Sequence, residues 1–135
     1  MSGVTGLKRG ALTPGVSWLD PRHRVAAVAA EAAERGYRAF LVDGREIADK
    51  AGCVAAISAA IGAPPSVGRN WDALEEALRD LSWAPALGYV LVLDGADRFA
   101  RTDPAGWATA VDVLRTAAAR WAEIGRPFYA VAVGR

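Results

Sequence analysis

Asp72, Glu75 and Glu76 lie close together in the stretch Gly68-Arg69-Asn70-Trp71-Asp72-Ala73-Leu74-Glu75-Glu76-Ala77-Leu78. Carboxylates so spaced can ligate a cation, exchange a proton, or meet the cationic groups of another molecule. The first two uses need companions that this chain lacks. No Cys/His cluster has metal-ligand spacing, and no nucleophile stands out with a base and an orienting group. At about 100° per residue, Trp71, Leu74, Ala77, Leu78 and Leu81 share one side of a helix, while Asp72, Glu75, Glu76 and Arg79 share the other. The pattern predicts a helix that packs by one face and displays acid on the other, which suits a docking surface. Asn70 is a good N-cap, and Asp72 in the first turn meets the positive end of the helix dipole. That carboxylate would repel a phosphate, and no Lys or Thr follows Gly68-Arg69-Asn70, which argues against a phosphate-cradling loop.

A second set of acids has a different potential. Asp43 and Asp94 both end strand-like apolar runs, where α/β folds commonly place active sites, and together they can bind Mg²⁺ in a phosphate-handling enzyme. Against this, neither lies in an Asp-x-Asp motif, and Asp-Gly is a common turn after a strand. His23, the only histidine, sits between Arg22 and Arg24 and reads as a solvated side chain. Cys53, the single cysteine, lies among Val54, Ala55 and Ile57 and reads as a small buried residue in a reducing compartment. Trp71 groups with the packing face of the acidic helix, whereas Trp83, just before Pro85, can rim an interface.

The elements that must position these groups follow from punctuation and period. The 135 residues, with 53% hydrophobic and 23% charged content, suit one compact domain, and a net charge of +1 gives no global attraction to nucleic acid or an anionic membrane. No export signal or membrane span is evident. Residues 1–15 read as a flexible N-terminus and 16–135 as a single domain. Val16-Ser17-Trp18-Leu19 reads as an edge strand, and Asp20 with Pro21 opens an Ala-rich helix that Gly36 closes. Tyr37 to Val42, Tyr89 to Leu93 and Phe128 to Val133 are apolar runs of buried-strand length. Asp49 caps a helix running through Ile61, which Gly62 stops. Thr102 or Asp103 caps a long helix starting at Pro104, with Trp107, Val111, Leu114 and Trp121 expected inward. Strands separated by helices predict an α/β fold with a small three-stranded parallel sheet, plus an N-terminal strand and helix as an extension to about residue 36.

With these residues placed, the chain resembles the barstar family of intracellular ribonuclease inhibitors. The resemblance rests on Asp43-Gly44, Ile47, the apolar helix ending at Ile61, Pro64, Gly68, Asn70, Asp72-Ala73-Leu74 and Ala77-Leu78. It continues through Leu91-Val92-Leu93-Asp94, Val113-Leu114-Arg115 and a last short strand. The resemblance implies a barstar-like fold and a cytoplasmic, non-enzymatic inhibitor without cofactor or metal. Its implied partner is a small basic-site ribonuclease, barnase-like or a related guanyl-preferring microbial enzyme, met by a monomer in a 1:1 complex with neither nucleic acid nor membrane involved. Ser66, Val67, Gly68, Asn70, Asp72, Glu75, Glu76 and Trp83 are the implied contact residues. Among them Asp72 and Glu76 stand at the family's inhibitory acids, with Glu76 one methylene longer than the family's aspartate. Glu75 replaces an aromatic contact, Ser66 and Val67 replace tyrosines, and Thr116 stands where a further acid is expected. An immunity protein for a different toxin is the alternative among binding proteins, and the Mg²⁺ enzyme built on Asp43 and Asp94 is the alternative among catalysts.

Overall fold

The computed structural model describes residues 14–19, 25–64 and 70–134. Asp20, Pro21, His23, Ser66, Val67 and Gly68, together with residues 1–13, lie outside the described residues. The elements run β1 (Gly15–Leu19), α1 (Val25–Glu34), β2 (Arg38–Asp43), a 3-10 turn (Gly44–Glu46), α2 (Lys50–Ile61), α3 (Trp71–Asp80), β3 (Tyr89–Asp94), α4 (Asp97–Thr102), α5 (Pro104–Glu123) and β4 (Phe128–Val133).

The strands form one parallel sheet of four strands, in the order β1-β4-β3-β2, not the expected three. The fourth is the N-terminal strand, which pairs with β4 from Gly15↔Tyr129 to Leu19↔Val133. The N-terminal strand thus completes the sheet. β4 would otherwise present a row of unpaired amides and carbonyls at the edge, and β1 satisfies them. Its side chains also serve both faces: Val16 packs on one apolar cluster and Leu19 on the other.

Those clusters follow from the alternation of strand side chains. On the larger face, Phe40, Leu91, Phe128 and Ala130 pack against Ile57, Leu74, Leu78 and Leu114 from α2, α3 and α5. On the smaller face, Val90, Val92, Val131 and Val133 are covered by Val28 and Ala32 of α1. Strands buried on both sides account for the unbroken apolar runs in β3 and β4.

Helix boundaries obey local chemistry. Asp49 accepts from the Gly52 amide at 2.8 Å, Asn70 from Ala73 at 2.8 Å and Asp103 from Gly106 at 3.0 Å. Gly62 ends α2 in the left-handed region at φ 71°. Two features depart from expectation. The short helix α4 has no side-chain cap and too few residues to show a period; it is held by Phe99, buried and edge-on to Trp107 at 6.0 Å, and by Arg98 and Thr102, which donate to the Arg45 and Ala48 carbonyls at 3.3 and 3.2 Å. On α5, Val113, Leu114 and Trp121 are buried, but Trp107 and Val111 are only half-buried. The helix is gripped by both the sheet and α3, so its buried arc is broad and includes the small residues Ala110, Ala117 and Ala118.

Candidate functional site

α3 is fixed from three directions, which is what makes its outer face a rigid platform. Leu74, Ala77 and Leu78 are buried in the larger core, and Trp71 is half-buried against it with its indole N–H meeting no hydrogen-bond acceptor among the described residues. Trp121 of α5 donates from Nε1 to the Leu78 carbonyl at 2.8 Å, tying the last turn of α3 to the long helix. The chain then turns at Leu81, a non-glycine residue in the left-handed region at φ 46°, whose side chain is buried. That conformation costs an ordinary residue of order 1 kcal/mol, and burial of the leucine offsets it.

The opposite face carries the expected acids. Asp72 and Glu76 are exposed, one turn apart, and neither has a hydrogen bond or ion pair among the described residues. Glu75 is half-buried and reaches Arg79 at 4.0 Å along the helix. Asp80 continues the Asp72–Glu76 line by another turn and accepts from the Ser82 hydroxyl at 3.1 Å. Like charges one turn apart repel, so this face costs helix stability in the free protein.

Beside Glu76 the surface is concave. Glu76, Arg79 and Asp80 form one wall of a groove of about 570 Å³ between α3 and α5. Thr116, Ala119, Arg120 and Glu123 of α5 form the rest, with Arg120 and Glu123 paired at 3.2 Å. Thr116 thus lines the same groove as Glu76, although 40 positions separate them in sequence. Asp80, Arg120 and Glu123 were not singled out by sequence reasoning. The spacing of Asp72, Glu76 and Asp80 held a signal for the first, whereas nothing local marks the α5 residues as neighbours of α3.

Trp83 is set apart from the groove. Its indole N–H donates to the Ile61 carbonyl at 2.7 Å, which satisfies one of the open carbonyls at the end of α2 while leaving the ring 37% exposed. Asn70 is engaged as the cap of α3.

Asp43 and Asp94 do come together, as register partners at the ends of β2 and β3. Their charge is met from within the fold. Arg45 holds Asp43 by a fork, from Nε to Oδ1 at 3.0 Å and from Nη2 to Oδ2 at 3.0 Å, while its amide donates to Oδ1 at 3.1 Å. The side-chain bond to Arg45 is the chief cause that keeps the Asp43 carboxyl below its ordinary range; the same bond, followed by the field of Asp43 and more weakly those of Asp94 and Glu46, raises Arg45 in turn. No group of three or more metal-ligating side chains gathers among the described residues. Cys53 is buried in the larger core, where desolvation pushes its thiol up to about 12.

A family model described as Barstar (barnase inhibitor) matches residues 37–133, which spans β2 through β4 and includes all of α3. No curated protein matches the sequence. No helix among the described residues is long and apolar enough to cross a membrane. With most of its length matched and β1 and α1 lying before the match, the chain belongs to the barstar family.

Proposed function

We propose that this protein is an intracellular inhibitor of a small secreted ribonuclease with a basic active site, and that it acts as a monomer in a 1:1 complex. The observation that carries the reading is the pair Asp72 and Glu76: exposed carboxylates one turn apart, unpaired among the described residues, on a helix whose other face is immobilised by the core and by Trp121. Cations that hold RNA phosphate accept a carboxylate in its place, and charge-assisted bonds to Asp72 and Glu76 would fill that site and exclude substrate. Rigidity adds to this, since little side-chain and backbone freedom remains to be lost on binding. Asn70 and the 66–68 segment would extend the contact on the N-terminal side of α3, and Trp83 would lie at its rim. The role is blocking, not turnover.

The test is a titration of barnase, and of related guanyl-preferring ribonucleases, with the purified protein. RNA hydrolysis should fall linearly to an end point at one equivalent and recover as Asp72 and Glu76 are removed. Undiminished hydrolysis by every such enzyme at micromolar protein would reject the reading in favour of an immunity protein for another toxin.

A further inference from the structure

β1 and α1 precede the region that the family model matches, and a single short connection, residues 35–37, joins them to it. What they touch is well defined. β1 lies along β4 from Gly15↔Tyr129 to Leu19↔Val133, and Trp18 sets its ring 5.4 Å from that of Trp107 on α5. α1 closes the smaller apolar cluster with Val28 and Ala32, both fully buried with the valines of β3 and β4. Among the described residues no other helix contributes to that cluster.

The surfaces beneath this unit cannot stay bare. β4 reads Phe128-Tyr129-Ala130-Val131-Ala132-Val133, a run without charge, glycine or proline. An open edge on such a strand is a template for any strand offered to it, and the valine face beside it needs a lid. If β1 and α1 lift away, something must replace them. The replacement with matching contacts is the same unit from a second copy of this chain.

The connection is where the two arrangements differ. Gly36 sits in the left-handed region at φ 76°, and its amide and that of Tyr37 donate back to the Ala33 and Ala32 carbonyls at 3.0 and 2.8 Å, which turns the chain sharply off the end of α1. A Cβ at Gly36 would lie 3.0 Å from Leu87 Cδ1. Three residues, one of them a left-handed glycine, thus return the unit to its own sheet. A short hinge put under strain favours exchange between copies.

We propose that β1 and α1 are an exchangeable unit: opened at Gly36, they seat on the β4 edge and valine face of a second copy, which returns its own, giving a domain-swapped dimer. The unit makes the same contacts in both forms. The closed monomer is therefore favoured only by the intramolecular link, equivalent to a concentration on the order of millimolar, and by the relaxed turn at Gly36. The acids of α3 take no part, so the proposal stands apart from the inhibitor reading.

The test is Gly36→Ala, analysed beside the wild type by size-exclusion chromatography with light scattering up to about 1 mM. An L side chain in the left-handed region costs the closed state roughly tenfold, and a dimer relieves two hinges, so its dissociation constant should fall by about a hundredfold. Gly125→Ala is the control: it places the same strain at φ 75°, where a Cβ meets nothing within 4 Å, and should cost stability without raising the dimer. To show what is exchanged, Ser17→Cys and Val131→Cys, register partners on strands about 4.8 Å apart, are added to Gly36→Ala. Oxidation should then give covalently joined pairs of chains on a denaturing gel. A Gly36→Ala protein that stays monomeric, a dimer whose cysteines join within one chain, or equal dimerisation by Gly125→Ala would each overturn the proposal. Should Gly36→Ala fail to fold, deletion of Gly36, which leaves the hinge too short to close, must give the linked dimer; a monomer or an unfolded chain refutes the exchange.

Discussion

Replacing Glu76 with alanine should move binding and stability in opposite directions. In the free protein Glu76 is exposed, has no ion pair among the described residues, and faces Asp72 and Asp80 one turn away on either side. Each like-charged pair at this spacing costs about 0.2–0.5 kcal/mol, and alanine is the better helix former, so Glu76→Ala should stabilise the fold by roughly 0.5 kcal/mol after solvent screening. For a domain of this size that is about 2 °C in melting temperature. In the complex the same change leaves the partner's phosphate-binding cations buried without a counter-charge, at a cost of at least about 2 kcal/mol, or roughly thirtyfold in the inhibition constant. Thermal melts and inhibition titrations on the same preparations give both numbers. A lowered melting temperature would show that Glu76 is part of the fold's own stability, and an inhibition constant within twofold of wild type would remove it from the site. Glu76→Asp refines the result: weaker inhibition means the partner is shaped for the longer acid, and stronger inhibition means the extra methylene is a handicap.

Trp121→Phe should destabilise the protein by about 2–3 kcal/mol in urea titration, because it strips the donor from the Leu78 carbonyl and opens space beside Tyr89, whose ring lies 4.9 Å away; a loss under about 0.5 kcal/mol would show that α3 is not held through this bond. Cys53 should resist thiol reagents at pH 8 in the native state and react at once on unfolding, since its buried thiol is pushed up to about 12. The sign of the linked pH effect follows from that rise. The unfolded thiol ionises near 9.0, so its contribution to stability is complete below that pH and is lost between there and about 12. Cys53→Ala should lessen the alkaline decline, leaving the part that the Tyr89 and Tyr129 hydroxyls, also raised by desolvation, contribute with the same sign; an unchanged profile would assign the whole decline to other groups.

Much of the fold was legible because its signals are local. Caps at Asp49, Asn70 and Asp103 and the stop at Gly62 are contacts between residues two to four apart, and each formed where the sequence placed it, with Asp103 taking the cap that the sequence left between it and Thr102. The apolar runs of β2, β3 and β4 and the two faces of α3 are matters of period, read without knowing what they pack against. Helix α4 escaped notice because a six-residue segment has no period to read, and what holds it is distant in sequence: Phe99 in the larger core, and Arg98 and Thr102 donating to the Arg45 and Ala48 carbonyls.

What the tertiary structure alone decided is which surfaces meet. Val16 to Leu19 reads as a strand by itself, but its place beside β4, and hence a four-stranded sheet, depends on which edge lay open once the others had paired. The acids of α3 were visible in the sequence; the groove beside them was not, because it depends on the rotation and depth at which α3 and α5 settle on the sheet. Trp83 likewise stood alone in the sequence, and only the fold brings the Ile61 carbonyl to its indole N–H while its ring stays partly exposed. Hydrogen bonding and period act over one or two turns of chain and leave a mark in sequence. Packing joins residues forty or more positions apart through complementary shape, which no single segment encodes.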